Sequence, residues 1–481
     1  MLGVVLRRSR CLCRSAAPAR WCSSSSSVVE EAKAWASIDP NAETRDAVLR
    51  LVDAPTASAT KQLRALFEGP RIAFGTAGLR ARMGPGPKLM NDLTVVQATE
   101  GLLTYLEETL GESDARSCGI VIGFDHREAG TLGSERFAAL ATAVSVTRGF
   151  RVHRIGRMVA TPLVPFAVGQ FGAAAGVMVT ASHNPKEDNG YKVYWANGAQ
   201  IVAPHDAGIA ACIEADVAAP RAPSAEYAAL ADALLAPGGK HDYAVDAADL
   251  SELVTGEYLA TLANKVGFHR DANVSQTVAE AMAPTETEEA RRAVCAKRLT
   301  YTAMHGVGTE WVLRSFEHFG LPPPVLVSEQ CLPDPTFPTV AFPNPEEVGA
   351  LDIACKVAAE AGSPVVLASD PDADRLAVAV AHVGAVDGAD TTEIDATDAL
   401  IGVESDEWKW RLLKGDEIGS LLAHWMWMQL QPVLDEYEAS TGDRPPVTML
   451  ASTVSSKVRS IVYYFCYFLF TVCLQLFHIN C

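Results

Sequence analysis

Residues 173–185 read AAAGVMVTASHNP, an apolar run that ends in a polar cluster. The run does not alternate between apolar and polar residues, which is typical of a strand buried on both faces of a parallel sheet. Pro185 cannot continue such a strand, so we expect Ser182 to lie at its carboxyl end. Open α/β sheets place their chemistry at that edge. For a Ser-His pair considered alone, a polar turn without a chemical role is the alternative.

Strands and helices alternate around this stretch. Apolar runs at 118–125 and 151–155 predict two further strands, and helical spacing predicts helices at 94–109 and 134–148. The dipeptide Asn197-Gly198 predicts a hairpin turn. The alternation as a whole predicts a mostly parallel sheet with crossover helices.

The regions on either side of this sheet carry their own patterns. Residues 32–67 have helical spacing with a break near Pro55, and a second α/β unit is predicted after a boundary near residue 245. The predicted elements of that unit are a strand at 299–304, a helix at 310–319, and strands at 325–327 and 365–368. We expect the proline-rich stretch 333–345 to cross the surface and the acidic segment 380–410 to be a surface insertion.

Three carboxylates follow the predicted strand at 365–368. The sequence Asp370-Pro371-Asp372-Ala373-Asp374-Arg375, the carboxylate loop, places an acid at every second position of a tight turn. Such carboxylates can converge on one centre, and hard oxygen ligands select Mg²⁺ or Ca²⁺. The loop lacks the Gly and Glu positions of an EF-hand. A solvated acidic turn is the alternative to a metal site.

The overall charge limits the classes of partner. The 481 residues contain 40 Lys and Arg against 58 Asp and Glu, a formal charge of −18, which argues against nucleic acid or an anionic membrane as the main partner. An anionic substrate therefore needs a local group of cations. In the loop Phe74–Arg80, Gly75 and Gly78 let backbone amides approach an anion, and Arg80 can bind phosphate through two hydrogen bonds.

Cysteine usage and the first residues bear on the compartment. The eleven cysteines contain no Cys-x-x-Cys pair, which indicates reduced thiols inside a cell. Residues 1–29 are rich in Arg, contain a serine run at 23–27 and have no acid before Glu30. They resemble a mitochondrial transit peptide, and a disordered basic leader on a cytosolic protein is the alternative. The expected location is therefore the mitochondrial matrix or the cytoplasm.

Several of these motifs together resemble the α-D-phosphohexomutase superfamily. The resemblance rests on Thr180–Pro185, on the carboxylate loop and on Phe74–Arg80, and it is strongest to the eukaryotic phosphoglucomutase-2 branch, which includes phosphopentomutases and glucose-1,6-bisphosphate synthases. Further similar motifs are Met90–Thr94, His305–Gly308, Phe342–Glu347 and Ser452–Lys457. The resemblance covers roughly residues 35–459 in family order.

The resemblance implies a reaction and a set of site residues. The family moves a phosphoryl group between the C1 and C6, or C5, hydroxyls of a sugar through a bisphosphorylated sugar, which also serves as activator. By resemblance, Ser182 carries the phosphoryl group and binds Mg²⁺ together with the three aspartates. The remaining catalytic residues implied are His183, Lys192 and Arg375, and the substrate-binding residues implied are Thr76, Arg80 and Asn184. Lys192 can serve as general base or acid, and a solvent-facing strand lysine is the alternative.

The resemblance also implies consecutive α/β domains with mixed or parallel sheets, the third incomplete and the fourth absent. The expected segments are a leader at 1–29, α/β domains at 35–245 and 246–392, a partial α/β domain at 393–459 and an apolar tail at 460–481. The uncharged run 461–479 is long enough to span a bilayer, so a tail anchor and a translated non-coding end are the two alternatives. We expect a membrane partner only in the first case, and the oligomeric state is left open.

Three functions therefore remain at this point. The first is a Mg²⁺-dependent mutase acting on a small sugar phosphate. The second is a sugar-bisphosphate synthase that uses Ser182 with a different phosphoryl donor. The third is a catalytically impaired binding protein, because motifs of the family's sugar-recognising loop and C-terminal phosphate-binding domain are not found. We expect the chain as given to form the phosphoserine and bind metal but to be a poor mutase.

Overall fold

The computed structural model describes residues 27–54, 56–76, 78–218, 223–236, 250–265, 299–383, 400–405 and 408–444. The expectations for residues 1–26, the motif at 452–457 and the apolar run 461–479 lie outside these residues. The described chain forms two compact units. The first unit comprises residues up to Met158, then Val164–Ala181 and Glu187–Leu250. The second comprises Val159–Leu163, Ser182–Lys186 and residues from Ser251 onward.

The first unit begins with α1 (Val28–Ile38), α2 (Ala42–Asp53) and α3 (Ala57–Phe67). The three helices pack around Trp35, which is 1% exposed. Helical spacing predicted one break near Pro55, but the chain also breaks between α1 and α2. Pro40 lies in that break, because proline cannot continue a helix interior, and the Asn41 side chain then caps α2.

A five-stranded mixed sheet forms the centre of the first unit. The unit's strands are β1 (Leu79–Arg82), β2 (Ile120–Phe124), β3 (Glu128–Ala129), β4 (Leu132–Gly133), β5 (Val152–Arg154), β6 (Ala175–Val179) and β7 (Asp188–Trp195). The sheet order is β1-β7-β6-β2-β5, and β3 and β4 pair separately. β2 runs parallel to β5 and β6, whereas β7 is antiparallel to β6 and β1.

Helices surround this sheet and bury its central strands. The remaining helices of the unit are α4 (Asp92–Leu110), α5 (Glu112–Cys118), α6 (Ser134–Thr147), α7 (Leu163–Phe171), α8 (His205–Ala218) and α9 (Ser224–Leu235). Every residue of β2 and β6 is buried, as the unbroken apolar runs predicted. Ser182 therefore follows a central strand at its carboxyl end. The Asn197-Gly198 turn is also confirmed: Gly198 has φ 73°, and the Trp195 amide donates to the Ala199 carbonyl at 2.9 Å.

The second unit is built on a six-stranded sheet in the order β12-β13-β11-β10-β8-β9. Its strands are β8 (Thr300–Thr302), β9 (Val325–Leu326), β10 (Val365–Ser369), β11 (Leu376–Val383), β12 (Leu400–Ser405) and β13 (Trp408–Leu413). Its helices are α10 (Leu250–Lys265), α11 (Gly308–His318), α12 (Asp352–Glu360) and α13 (Gly415–Thr441). β8, β9 and β10 run parallel, and the remaining neighbours are antiparallel.

Two expectations for this unit are wrong. The proline-rich stretch 333–345 does not simply cross the surface, because Phe337 and Val340 belong to the core and are 4% and 7% exposed. Successive turns produce this arrangement: the Phe337 amide donates to the Asp334 carbonyl, the Val340 amide donates to Phe337, and Phe337 has φ 45°. These turns direct the two apolar side chains inward.

The segment 380–410 is likewise not a surface insertion as a whole. β11 extends to Val383, and β12 and β13 complete the sheet at 400–413. Trp410 is fully buried, so β13 contributes to the core. The acidic part at 384–399 lies outside the described residues. Within the described ranges, helices that combine the length and apolar character needed to cross a bilayer are not found.

Candidate active site

Ser182 lies on a corner with an unusual backbone conformation. Its φ is 55°, in the left-handed region that costs a non-glycine residue roughly 1–2 kcal/mol. The residue is 2% exposed, and its Oγ donates a hydrogen bond to Asp370 Oδ2 at 2.9 Å. Strained corners of this kind occur where surrounding contacts hold a functional side chain in place. The serine predicted from the strand end therefore contacts the carboxylate loop directly.

The carboxylate loop brings its three acids together. One oxygen of each of Asp370, Asp372 and Asp374 lies within 4.8 Å of the others. Ala373, with φ 55°, donates its amide to the Asp370 carbonyl at 2.9 Å, and this turn makes the alternate side chains converge. Asp370 and Asp372 are fully buried, whereas Asp374 is exposed.

The electrostatics of this cluster favour a bound cation. Burial, followed by the charges of Asp372 and Asp374, raises the pKa of Asp370 to about 8. Without a compensating charge, the Asp370 carboxyl would therefore hold a proton at neutral pH. An all-carboxylate donor set matches a hard divalent cation, which would remove this repulsion. The three side chains therefore fit a metal site.

Arg375 and His183 flank the serine and the carboxylates. The Arg375 amide donates to Asp370 Oδ1 at 3.1 Å, and its Nε lies 3.9 Å from Asp370 Oδ2. Because 47% of the Arg375 side chain is exposed, its guanidinium can also meet an anion from solvent. His183 Nδ1 lies 3.2 Å from Ser182 Oγ, and the ring meets Phe342 edge to face at 5.9 Å between centroids. Asn184 is partly exposed in the same turn.

Three predicted site residues lie in the first unit. Thr76 is exposed in a tight turn closed by two hydrogen bonds between Gly75 and Gly78. Gly78 has φ 79°, and a Cβ there would lie 1.9 Å from the Tyr191 carbonyl oxygen, so only glycine fits. Arg80 is exposed on β1. Lys192 on β7 is 7% exposed, so the alternative of a solvent-facing lysine is wrong. Its catalytic role stays a prediction.

A contact that the sequence did not predict joins Thr161 to the carboxylate loop. Thr161 Oγ1 donates to Asp372 Oδ2 at 2.7 Å, and the Thr161 amide donates to the Asp372 carbonyl at 2.9 Å. The Thr161-Pro162 pair follows β5 by a few residues. A hydroxyl residue and a proline shortly after a predicted strand were the available signal.

The His305-Gly306 corner supports the same loop from another side. A Cβ on Gly306 would lie 2.3 Å from Pro371 Cα, and the Val307 amide donates to the Pro371 carbonyl at 2.9 Å. Met304 and His305 have φ 49° and 63°, so two successive residues adopt the left-handed conformation. The motif His305–Gly308 is thus a close-packed support for the carboxylate loop.

A buried polar network holds the start of β7 in the first unit. Arg127 Nη1 donates to the Asp188 carbonyl at 3.1 Å, and its Nε lies 3.3 Å from Asp125 Oδ2. Ser134 Oγ donates to Asp125 Oδ1 at 2.5 Å, and Asn189 Nδ2 donates to Ser134 Oγ at 3.0 Å. The network therefore fixes the first residues of β7.

Comparison with known proteins identifies the family. The family model described as phosphoglucomutase/phosphomannomutase, alpha/beta/alpha domain I, matches residues 71–219, and the model of domain II matches residues 256–384. The first match contains Ser182 and the second contains the carboxylate loop. Both motifs therefore occur within the domains of one family.

Curated relatives give the same result. A phosphopentomutase from Homo sapiens is 38% identical over 439 residues, which cover 89% of this chain and 60% of the relative. A probable phosphoribomutase from Schizosaccharomyces pombe is 38% identical over 414 residues, which cover 85% of this chain and 59% of the relative. A glucose 1,6-bisphosphate synthase from Homo sapiens is 37% identical over 399 residues, which cover 82% of this chain and 54% of the relative. This chain spans about 60% of the length of the first two relatives. It belongs to the phosphoglucomutase/phosphomannomutase family and, within it, to the branch that contains the phosphopentomutases and the glucose-1,6-bisphosphate synthases.

Proposed function

We propose that this chain transfers phosphoryl groups between positions of a sugar phosphate, with Ser182 as the phosphoryl carrier and Mg²⁺ at Asp370, Asp372 and Asp374. The hydrogen bond from Ser182 Oγ to Asp370 carries the proposal, because it places the acceptor hydroxyl directly against the cluster that fits a cation. Phosphoryl transfer depends mainly on positioning and on stabilising charge. A buried serine on a strained corner meets the first need, and a cation held by the three carboxylates would meet the second.

The reaction would proceed through a phosphate ester on Ser182. A hydroxyl oxygen of a sugar monophosphate forms a bond to the phosphorus, the bond between phosphorus and Ser182 Oγ breaks, and a sugar bisphosphate results. Transfer of the other phosphate back to Ser182 restores the ester and releases the isomeric monophosphate. The proton lost by the sugar hydroxyl needs an acceptor, and we assign this role to Lys192. The bound metal would supply positive charge to the phosphoryl oxygens.

Charge compensation explains the cationic residues assigned by resemblance. Three carboxylates and a phosphoserine of about −2 exceed one divalent cation by roughly three charges before any substrate is bound. Arg375 contributes positive charge beside Asp370. We assign Arg80 and Lys192 to the same compensation, Thr76 and Asn184 to substrate binding, and His183 to the surroundings of the Ser182 oxygen, which its Nδ1 approaches at 3.2 Å. Both pentose and hexose 1-phosphates are proposed substrates, because the relatives are named for both classes.

The same serine also suits a sugar-bisphosphate synthase. The relative named glucose 1,6-bisphosphate synthase is 37% identical over 399 residues, and this similarity supports the second function. A synthase would accumulate sugar bisphosphate from a monophosphate and a different phosphoryl donor. A mutase would interconvert monophosphates with catalytic amounts of bisphosphate. Measuring both products in one incubation therefore separates the two activities.

Phosphorylation of Ser182 tests what the two functions share. The full chain is incubated with Mg²⁺ and a radiolabelled sugar bisphosphate, and the label is mapped by peptide mass analysis. We expect label on Ser182, none in Ser182→Ala, and wild-type labelling in Ser58→Ala, which removes an exposed serine on α3. Label that persists on another residue in Ser182→Ala would contradict the assignment. Binding of sugar phosphate without any label would favour a binding protein.

A further inference from the structure

Thr161 makes two hydrogen bonds to a single residue of the carboxylate loop. Its Oγ1 donates to Asp372 Oδ2 at 2.7 Å and its amide donates to the Asp372 carbonyl at 2.9 Å. Thr161 is 2% exposed and Asp372 is fully buried. The pair therefore fixes both the backbone and the carboxylate of Asp372 away from competing water.

The local sequence holds Thr161 in place for this contact. Pro162 disfavours the helical region for the preceding residue, so Thr161 has fewer accessible backbone conformations. The neighbours Val159, Ala160 and Leu163 are between 0% and 5% exposed, and they anchor the segment on both sides. The Thr161 hydroxyl therefore lies on a segment that is buried on both sides of it.

The hydroxyl selects one orientation of the Asp372 carboxylate. The hydrogen bond from Thr161 to Oδ2 therefore restricts how the Asp372 carboxylate is turned toward the other two acids of the cluster. Partners of this kind orient metal-binding carboxylates, and their removal typically weakens metal binding about 10–100-fold. The two buried acids of the loop thus each accept from one hydroxyl, Asp370 from Ser182 and Asp372 from Thr161.

The two hydroxyls differ when the serine is phosphorylated. A phosphate ester on Ser182 Oγ leaves no proton to donate, so Asp370 loses that bond, whereas the bond from Thr161 to Asp372 persists. We propose that Thr161 is a positioning residue that holds Asp372 ready for the divalent cation in both forms of the protein. This inference rests on the proposed metal site and adds to it a residue that does not itself touch the cation.

Metal binding without any sugar phosphate tests the inference separately from catalysis. Mg²⁺ affinity of the full chain is measured by titration calorimetry, and Mn²⁺ affinity by electron paramagnetic resonance. Thr161→Val removes the hydroxyl at nearly constant volume, and we expect it to weaken both affinities about 10–100-fold. Thr161→Ser keeps the hydroxyl and should remain within about threefold of the wild type by the same reasoning.

A matched control separates the hydroxyl from the change in packing. Thr255→Val in α10 places the same substitution in the same unit at 2% exposure, where the Thr255 hydroxyl donates to the Ser251 carbonyl. It should bind metal like the wild type. Should Thr161→Val fail to fold, Thr161→Cys replaces it, because a thiol is a weaker hydrogen-bond donor of similar size. The metal affinity of Thr161→Cys should lie between those of the Thr161→Ser and Thr161→Val variants.

Each outcome decides the inference. Wild-type metal affinity in a folded Thr161→Val or Thr161→Cys chain would overturn it while leaving the proposed metal site intact. Equal losses in the serine and valine variants would also overturn it, since the hydroxyl would then not be the cause. A wild-type chain that binds neither cation would overturn the metal site and the inference together. Weaker metal binding in Thr161→Val, with wild-type affinity in Thr161→Ser and in the Thr255→Val control, would establish the positioning role.

Discussion

Ser182 Oγ lies 2.9 Å from Asp370 Oδ2, although 188 positions separate the two residues in the chain. The contact joins a strand-end serine to a carboxylate loop whose acids have converged within 4.8 Å. Neither motif alone indicates phosphoryl transfer. Together they place a serine oxygen against three carboxylates that fit a cation, which is the arrangement that the proposed chemistry needs.

Removing one carboxylate should weaken metal binding in proportion to its burial. We expect Asp372→Asn to lower Mg²⁺ affinity more than Asp374→Asn, because Asp372 is fully buried and fixed by Thr161 whereas Asp374 is exposed. Both should lose affinity, by about tenfold or more for Asp372. Titration calorimetry measures the affinities, and Asp352→Asn, at the start of α12, is the control. Unchanged affinity in Asp372→Asn would count against the carboxylate loop as the metal site.

Gly306→Ala should destabilise the second unit. A Cβ at this position would lie 2.3 Å from Pro371 Cα and 2.4 Å from the Pro371 carbonyl oxygen, so backbone must shift. Such overpacking costs roughly 1–3 kcal/mol of unfolding free energy. Gly256→Ala in α10 is the control: nothing lies within 4 Å of its Cβ position, and we expect about 0.5–1 kcal/mol of stabilisation from helix propensity. Urea unfolding measures both, and equal stability of the two variants would contradict the close packing seen here.

Arg127→Met should be costly because it leaves the buried Asp125 without its cation. Both side chains are 0% exposed and lie 3.3 Å apart. Breaking a buried pair from one side typically costs about 3–5 kcal/mol. The comparison is Arg64→Met, which removes an exposed i,i+4 pair with Glu68 and should change the unfolding free energy by less than about 0.5 kcal/mol. Chemical denaturation followed by circular dichroism checks the difference, and similar values for both arginines would exclude a structural role for the network.

Asp39 should make stability depend on pH between about 4 and 6. Burial raises the pKa of Asp39 to about 6, despite the opposing hydrogen bond from the Thr44 hydroxyl. A raised pKa in the folded state means that stability from this group is present below the unfolded pKa and is lost as pH rises through 6. The lost unfolding free energy amounts to roughly 2–3 kcal/mol, because each unit by which the pKa of Asp39 is raised corresponds to about 1.36 kcal/mol.

Asp39→Asn should remove this part of the pH dependence. We expect the variant to gain stability relative to the wild type at pH 7 and to gain little or none at pH 4. Asp46→Asn, at an exposed position of α2, provides the matched control for the substitution itself. Unfolding free energies at pH 4, 5, 6 and 7 give the answer. A constant difference between wild type and Asp39→Asn across this range would show that Asp39 does not titrate differently on folding.

Much of the fold could be predicted from local pattern, and the failures have physical causes. The unbroken apolar run before Ser182 predicts a buried central strand because only a strand covered on both faces tolerates it. The acids of the carboxylate loop are neighbours in sequence, so their convergence depends on one turn. By contrast, the inward turn of Phe337 depends on a left-handed backbone that the prolines around it do not reveal.

The site was harder to predict where contacts join distant parts of the chain. Thr161 and Asp372 are 211 positions apart, and the sequence around either residue does not predict their hydrogen bond. Lys192 lies on a strand whose burial depends on its neighbours in the sheet, so its 7% exposure followed from topology rather than from its own sequence. Resemblance supplied candidate residues for the reacting group. It did not supply the residues that support them.

The second unit takes two short segments, Val159–Leu163 and Ser182–Lys186, from the earlier half of the chain. The contacts that these two segments make with the rest of the unit therefore have high sequence separation, a property that slows folding. During synthesis at about 5–20 residues per second, Ser182 would leave the ribosome roughly 10–40 s before Asp370. The first unit's nascent chain must carry both segments without their partners for that interval. A translation product that ends before residue 370 would consequently contain the proposed phosphoryl acceptor, Ser182, but would lack the three carboxylates of the proposed cation site.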